Sequence, residues 1–164
     1  MKETSQEQTQ IFVQHLEKLD PGAHARLKRC VGHSIKEARG ALTLFYSILP
    51  HGVPQAQEEI YFLVATLYPL AENSGQGNLG DALRRARTDQ NARGLDRRLE
   101  TLLDANIDQL PFRLRQAIHF LQSNRIRVNY QTLLTDLLCW SHPDHFIQRR
   151  WARSYFSSSK EKNQ

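Results

Sequence analysis

Very little in this chain speaks of cross-links, membranes or export. Its 164 residues hold two cysteines, Cys30 and Cys139, too few and too far apart for a disulfide framework, and neither stands in a C-x-x-C pair. Both are expected as reduced thiols. The longest apolar run, Ile60 to Leu70, is far short of the ~20 residues that a membrane-spanning helix needs. The first twenty residues contain four acids (Glu3, Glu7, Glu17, Asp20) and scattered glutamines, unlike the basic-then-apolar plan of a signal peptide. The expectation is a soluble, untargeted, cytoplasmic protein without a membrane partner. Strand-like alternation and internal repeats are also missing.

Lysine is missing from a long stretch in which arginine abounds. From Arg84 to Arg153 there are thirteen arginines and no lysine, against seven acids, a balance of 13 − 7 = +6. The rest of the chain has 22 − 13 = 9 bases and 17 − 7 = 10 acids, or −1, so the net charge of +5 comes from this one segment. A planar guanidinium grips phosphate through two parallel N–H groups and stacks on bases, whereas an ammonium acts as a point charge. The pattern therefore points to nucleic acid as a partner.

What is present is helical periodicity. Phe12, His15, Leu16 and Leu19 with Ile11 predict a first helix ending before Pro21-Gly22, Ala25 to Val31 a second, and Ala41 to Leu49 a third. Gln55 to Leu70 reads as the richest core helix, limited by Pro69. A polar loop, Glu72 to Asn78, separates an N-terminal layer reaching about residue 71 from a C-terminal layer beginning about residue 79. Beyond it, Asp108 is the expected cap of a helix with the stripe Leu110, Leu114, Ala117, Ile118 and Leu121, and Asn129 precedes Leu133, Leu134, Leu137 and Leu138. Pro143 and Asp144 open a last helix that buries Ile147, Trp151 and Tyr155 and turns Arg149, Arg150 and Arg153 elsewhere. The fold class is all-α: a compact bundle of about eight or nine helices in two small layers, one domain over residues 1–156, with a disordered tail over 157–164.

Helical spacing sorts the arginines. Arg85 lies four from Asp81 and Asp89, Arg93 lies four from Asp89 and three from Asp96, and Arg97 lies three from Glu100, so these are expected to form intrahelical ion pairs. Arg84, Arg87, Arg98, Arg113, Arg115, Arg149, Arg150 and Arg153 are read as unpaired, as are Arg26, Lys28, Arg29 and Arg39 in the N-terminal layer. Together with Arg97 they form the candidate nucleic-acid-binding set.

No chemistry-bearing motif survives inspection. Gly75-Gln76-Gly77-Asn78-Leu79-Gly80 spells G-x-G-x-x-G, with Asp96 or Glu100 near the offset of a ribose-binding acid, but it follows a helix and no parallel sheet is available, so it reads as a flexible loop and helix start. Cys139, His142 and His145 lack a fourth ligand and are broken by Pro143, leaving a core cysteine and two surface histidines. Cys30 beside His33 has no orienting acid. No catalytic residue, metal or cofactor is expected.

Four segments carry a family resemblance: Tyr61 to Tyr68, Leu79-Gly80-Asp81-Ala82-Leu83, Phe112-Arg113-Leu114-Arg115-Gln116-Ala117, and Leu133 to Trp140 followed by Gln148 to Tyr155. In order and spacing these resemble the CasB family, the small subunit of the type I-E CRISPR surveillance complex Cascade. The resemblance implies an α-helical, non-enzymatic subunit, two copies of which stack against the backbone subunits holding the guide RNA and beside the large subunit. It implies a basic surface that stabilises the R-loop through the target DNA strand and the displaced non-target strand. By position, Lys28-Arg29 matches the basic pair of the family's second helix, Arg97-Arg98 the pair after its central loop, and Arg113 and Arg115 its F-R-L-R segment. Asp81 stands where the family often has a base, and Arg84 one turn on is the expected substitute. A free-standing helical DNA-binding regulator is the alternative, although no recognition helix with Asn, Gln or Ser beside Arg can be found.

Overall fold

A computed structural model describes residues 4–157. Among the described residues there are nine α-helices and no strand: α1 Ser5–Glu17, α2 Pro21–Lys28, α3 Leu42–Ile48, α4 Glu58–Leu67, α5 Leu79–Ala86, α6 Ala92–Leu103, α7 Leu110–Ser123, α8 Tyr130–Leu138 and α9 Phe146–Phe156. The all-α expectation and the helix number are borne out. The tail expected to be disordered lies, from residue 158 on, outside the described residues.

Local chemistry sets the boundaries. Thr4 and Glu7 close a capping box on α1, Asp20 caps α2 with Pro21 in its first position, and Asn78 and Asp81 close a second box on α5. Asn129 accepts the Thr132 N–H at the start of α8, as the sequence suggested. Two expected starts are corrected. Asn106, not Asp108, turns the chain into α7, its Oδ1 accepting the Asp108 and Gln109 N–H groups. The last helix begins at Phe146 rather than at Pro143-Asp144, because His145 stands in the left-handed region at φ 50° and breaks the turn before it.

α4 is buried from Tyr61 to Leu67 on every side, the signature of a central helix. It packs on α2, α7 and α8, and Tyr68–Leu70 continues it as a tighter turn around Pro69. α8 lies against α1 as well as α4, so a helix from the second half of the chain completes the core of the first. One continuous apolar cluster runs from Phe12 to Tyr155.

The loop expected to be flexible is tied down. Val128 N–H donates to the Glu72 carbonyl at 2.8 Å and Gly75 N–H to the Val128 carbonyl at 3.2 Å. The Tyr130 hydroxyl reaches the carbonyls of Leu67 and Ala71 at 3.2 and 2.8 Å, satisfying acceptors left open at the end of the central helix. The three glycines of the G-x-G-x-x-G string have packing reasons. A Cβ on Gly75 would lie 2.4 Å from the Arg127 carbonyl oxygen, Gly77 has φ +80°, and a Cβ on Gly80 would lie 2.2 Å from the Trp151 carbonyl oxygen. Gly75 lets the loop lie against residues 127–128, Gly77 makes a left-handed turn and Gly80 lets α5 cross close to α9, so the string is not a nucleotide fingerprint.

Candidate nucleic-acid interface

The last turn of α5 and the loop behind it hold arginines that the fold itself uses. Arg84 is half-buried; its Nη1 donates to the Ser154 carbonyl at 2.6 Å and the Ser157 hydroxyl at 2.7 Å, and lies 3.2 Å from Asp81. The expectation that Arg84 has no acid at helical spacing is corrected: Asp81 is three residues before it. Arg87 is also paired, through Nε and Nη2 to both oxygens of Asp96 at 3.0 and 3.2 Å, with its guanidinium 5.7 Å from the Tyr155 ring centre. Tyr155 donates its hydroxyl to the same carboxylate. Arg87 and Tyr155 together hold the Asp96 carboxyl below the usual carboxylate range.

The expected intrahelical pairs of Arg85, Arg93 and Arg97 are absent among the described residues, and Asp81 and Asp96 are taken by Arg84 and Arg87. α5 ends at Ala86, so Arg85 and Asp89 do not share a helix. Asp96, the acid three residues from Arg93, is taken by Arg87 and Tyr155. Arg97 and Glu100 are both exposed and stay apart.

The remaining candidates fall into several places. Arg26 donates its Nε and Nη2 to the Gly40 carbonyl and holds the 38–41 turn, while Lys28, Arg29 and Arg39 are exposed. On α9, Arg150 lies 3.9 Å from the buried Asp136 and over the Phe146 ring, whereas Arg149 and Arg153 face solvent. Burial raises the Asp136 carboxyl above its ordinary value, against the Trp151 indole N–H, which donates to it at 2.8 Å, and the Arg150 charge.

α6 and α7 bring three candidates together. Arg97, Arg98 and Arg113 line one cleft whose walls are Leu83, Leu95, Leu99, Leu102, Ala117 and Phe120. None of the three makes an ion pair or donates a side-chain hydrogen bond among the described residues, so all their donors remain available. The Arg98 guanidinium sits 5.6 Å from the Phe120 ring centre and that of Arg113 5.5 Å from the exposed Phe112. Arg115 is exposed on the same helix. The two phenylalanines were missed in the sequence; the signal was there in Phe112, next to Arg113.

Of the cysteines, Cys30 is buried, and burial raises its thiol pKa. Cys139 is exposed rather than in the core, because α8 ends at Leu138 and places it at the cap. No group of three metal-ligating side chains occurs among the described residues, and no described helix is long and apolar enough to cross a membrane.

The family model of the CRISPR-associated protein Cse2 matches residues 23–156. The chain belongs to the Cse2 family. A curated Cse2 protein from Thermus thermophilus is 37% identical over 106 residues, which are 63% of this chain and 60% of that protein; the match thus spans under two thirds of the relative's length. Solved structures agree over more of the chain. CasB of M. ruber is similar with a TM-score of 0.79 at 26% identity, covering 98% of both chains. A Cse2-family protein of Thermus thermophilus gives 0.80 at 29%, covering 92% of this chain and 98% of that one. A chain of a CRISPR RNA-guided surveillance complex gives 0.78 at 25%, covering 92% of each. The CasB resemblance read from the four sequence segments is borne out.

Proposed function

We propose that this Cse2-family chain is the non-catalytic small subunit of a type I-E CRISPR surveillance complex. In it the chain holds nucleic-acid backbone to stabilise the R-loop and the displaced non-target strand. Its partners are the backbone and large subunits, a second copy of itself, the guide RNA and the target DNA, and the setting is the cytoplasm. The residues from 4 to 157 act as one unit built on a shared core. The observation that carries the reading is the α6–α7 cluster: Arg97, Arg98 and Arg113 keep their donors free around one cleft, with Arg115 alongside. Clustered cations without acids are costly unless a polyanion joins them. Guide pairing supplies sequence specificity, so backbone affinity suffices. Lys28, Arg29, Arg39, Arg149 and Arg153 are further exposed candidates, whereas Arg26, Arg84, Arg87 and Arg150 have structural partners.

The test is an R-loop footprint on supercoiled target DNA with the complete complex, the complex lacking this chain, and the complex carrying Arg97→Ala, Arg98→Ala and Arg113→Ala. Protection of the displaced strand should fall in both altered complexes while guide-RNA assembly persists. Equal protection in all three would refute the reading.

A further inference from the structure

The α6–α7 cleft has more in it than charge. Its space is about 270 Å³. Leu83, Leu95, Leu99 and Leu102 are buried beneath it, and Phe120 and Ala117 form its far wall. It is open because the residues on either side are small: Gly94 bears no side chain, a Cβ there would meet nothing within 4 Å, and Ala117 contributes only a methyl. Hydrogen-bonding groups are scarce inside. The Thr101 hydroxyl donates its proton to the Arg97 carbonyl at 3.0 Å and keeps only acceptor capacity, which leaves Gln116 as the uncommitted polar donor besides the three arginines. No acid lines the cleft.

An apolar slot with an aromatic wall and a cationic rim fits a flat apolar group that carries anions on both sides. A nucleobase between two backbone phosphates has that composition. A duplex does not, because its bases are stacked inward and out of reach. Resting on the nucleic-acid reading above, we propose that this cleft admits one unstacked base of single-stranded nucleic acid, which packs against Phe120 while Arg97, Arg98 and Arg113 hold the flanking phosphates. The scarcity of hydrogen-bonding groups makes the slot indifferent to which base enters. The chain thereby distinguishes an open strand from a duplex without reading sequence.

The full chain is titrated with an oligothymidylate, with an abasic strand of equal length and with a duplex, each at several salt concentrations. The two single strands carry the same phosphates and should show the same salt slope. The base-bearing strand should bind at least about fivefold more tightly, in line with the stacking of one base on an aromatic ring. Gly94→Leu, which fills the slot and keeps every arginine, should abolish that ratio. Phe120→Leu, a second variant that keeps the wall apolar but removes the ring, should reduce it. Equal affinity for the two strands in the wild type would overturn the base slot and leave phosphate binding standing. Absence of binding to either strand would overturn both. If an acidic, leucine-bearing peptide bound in a Gly94→Leu-sensitive manner while the two strands stayed equal, the cleft would be a peptide site and the base proposal would fall.

Discussion

Replacing Gly80 by alanine tests the crossing of α5 and α9, on which the placement of Arg84 against Ser154 and Ser157 depends. The added Cβ would stand 2.2 Å from the Trp151 carbonyl oxygen and 2.9 Å from its carbon, and both are backbone atoms of α9 that no rotamer change can move. Ordinary contact needs upwards of about 3.4 Å, so the helices must part by roughly 1 Å. The crossing also carries the Arg84 bonds to Ser154 and Ser157 at 2.6 and 2.7 Å and the Asn78 bond to Ser154 at 2.8 Å, which the same movement stretches to the limit of hydrogen bonding. Overpacking costs about 1–3 kcal/mol and loss of a charge-assisted bond about 1.5–3 kcal/mol. The better helix propensity of alanine returns at most about 1 kcal/mol. The net loss is about 1.5–5 kcal/mol, a fall in melting temperature of roughly 3–20 °C for a chain of this size. Gly94→Ala is the control: nothing lies within 4 Å of its Cβ, and it should stabilise by about 0.4–1 kcal/mol. Melting curves followed by circular dichroism decide it. If Gly80→Ala melts with the wild type, the close crossing is wrong.

Arg84→Met should destabilise by about 1.5–3 kcal/mol in urea titration, since it removes the charge-assisted bonds to the Ser154 carbonyl and the Ser157 hydroxyl and leaves that carbonyl only the Ser157 hydroxyl at 3.0 Å; unchanged stability together with weaker single-strand binding would make Arg84 a phosphate ligand instead. Trp151→Ala should cost about 3–5 kcal/mol, whereas Arg115→Ala should leave the urea midpoint nearly unmoved. Asp136 supplies a pH test. Its folded-state pKa is raised, so the folded chain holds the proton longer than the unfolded one, and stability falls as pH climbs from the usual carboxylate value through the raised one. Asp136→Asn, which still accepts the Trp151 N–H, should therefore gain on the wild type over that window and level off above it; a gap that is constant with pH would contradict the burial argument.

The stretches that could be read from the sequence were those in which one helix settles its own fate. The α7 stripe of Leu110, Leu114, Ile118 and Leu121 and the α9 set of Ile147, Trp151 and Tyr155 are buried because their spacing leaves no other face for a core. Pairing rules failed where the partner came from elsewhere. Asp96 sits at helical distance from Arg93, yet Arg87 from the preceding loop and Tyr155 from α9 reach it first. Arg84 has a local acid and a distant carbonyl, and the second could not be foreseen from spacing. The candidate site was legible as a concentration of charge but not as a place. Arg97, Arg98 and Arg113 share a cleft only because α6 and α7 lie side by side, while Lys28 and Arg29 stand at the C-terminal end of α2, which packs on α4.

The docking of α8 on α1 and α4 has a consequence for synthesis. The carbonyls of Leu67 and Ala71 wait for the Tyr130 hydroxyl, and the core face of α1 waits for α8, whose Thr135 comes to rest beside Thr9, 126 residues away in the chain. At about 5–20 residues per second on the ribosome, the interval between the emergence of Ala71 and that of Leu138 is several seconds at least. Throughout it α4 is covered by α2 but not on the surface that α7 and α8 bury. The nascent first half therefore cannot mature ahead of the second, and a chain cut in the 72–78 loop would yield two fragments that need each other rather than two small domains.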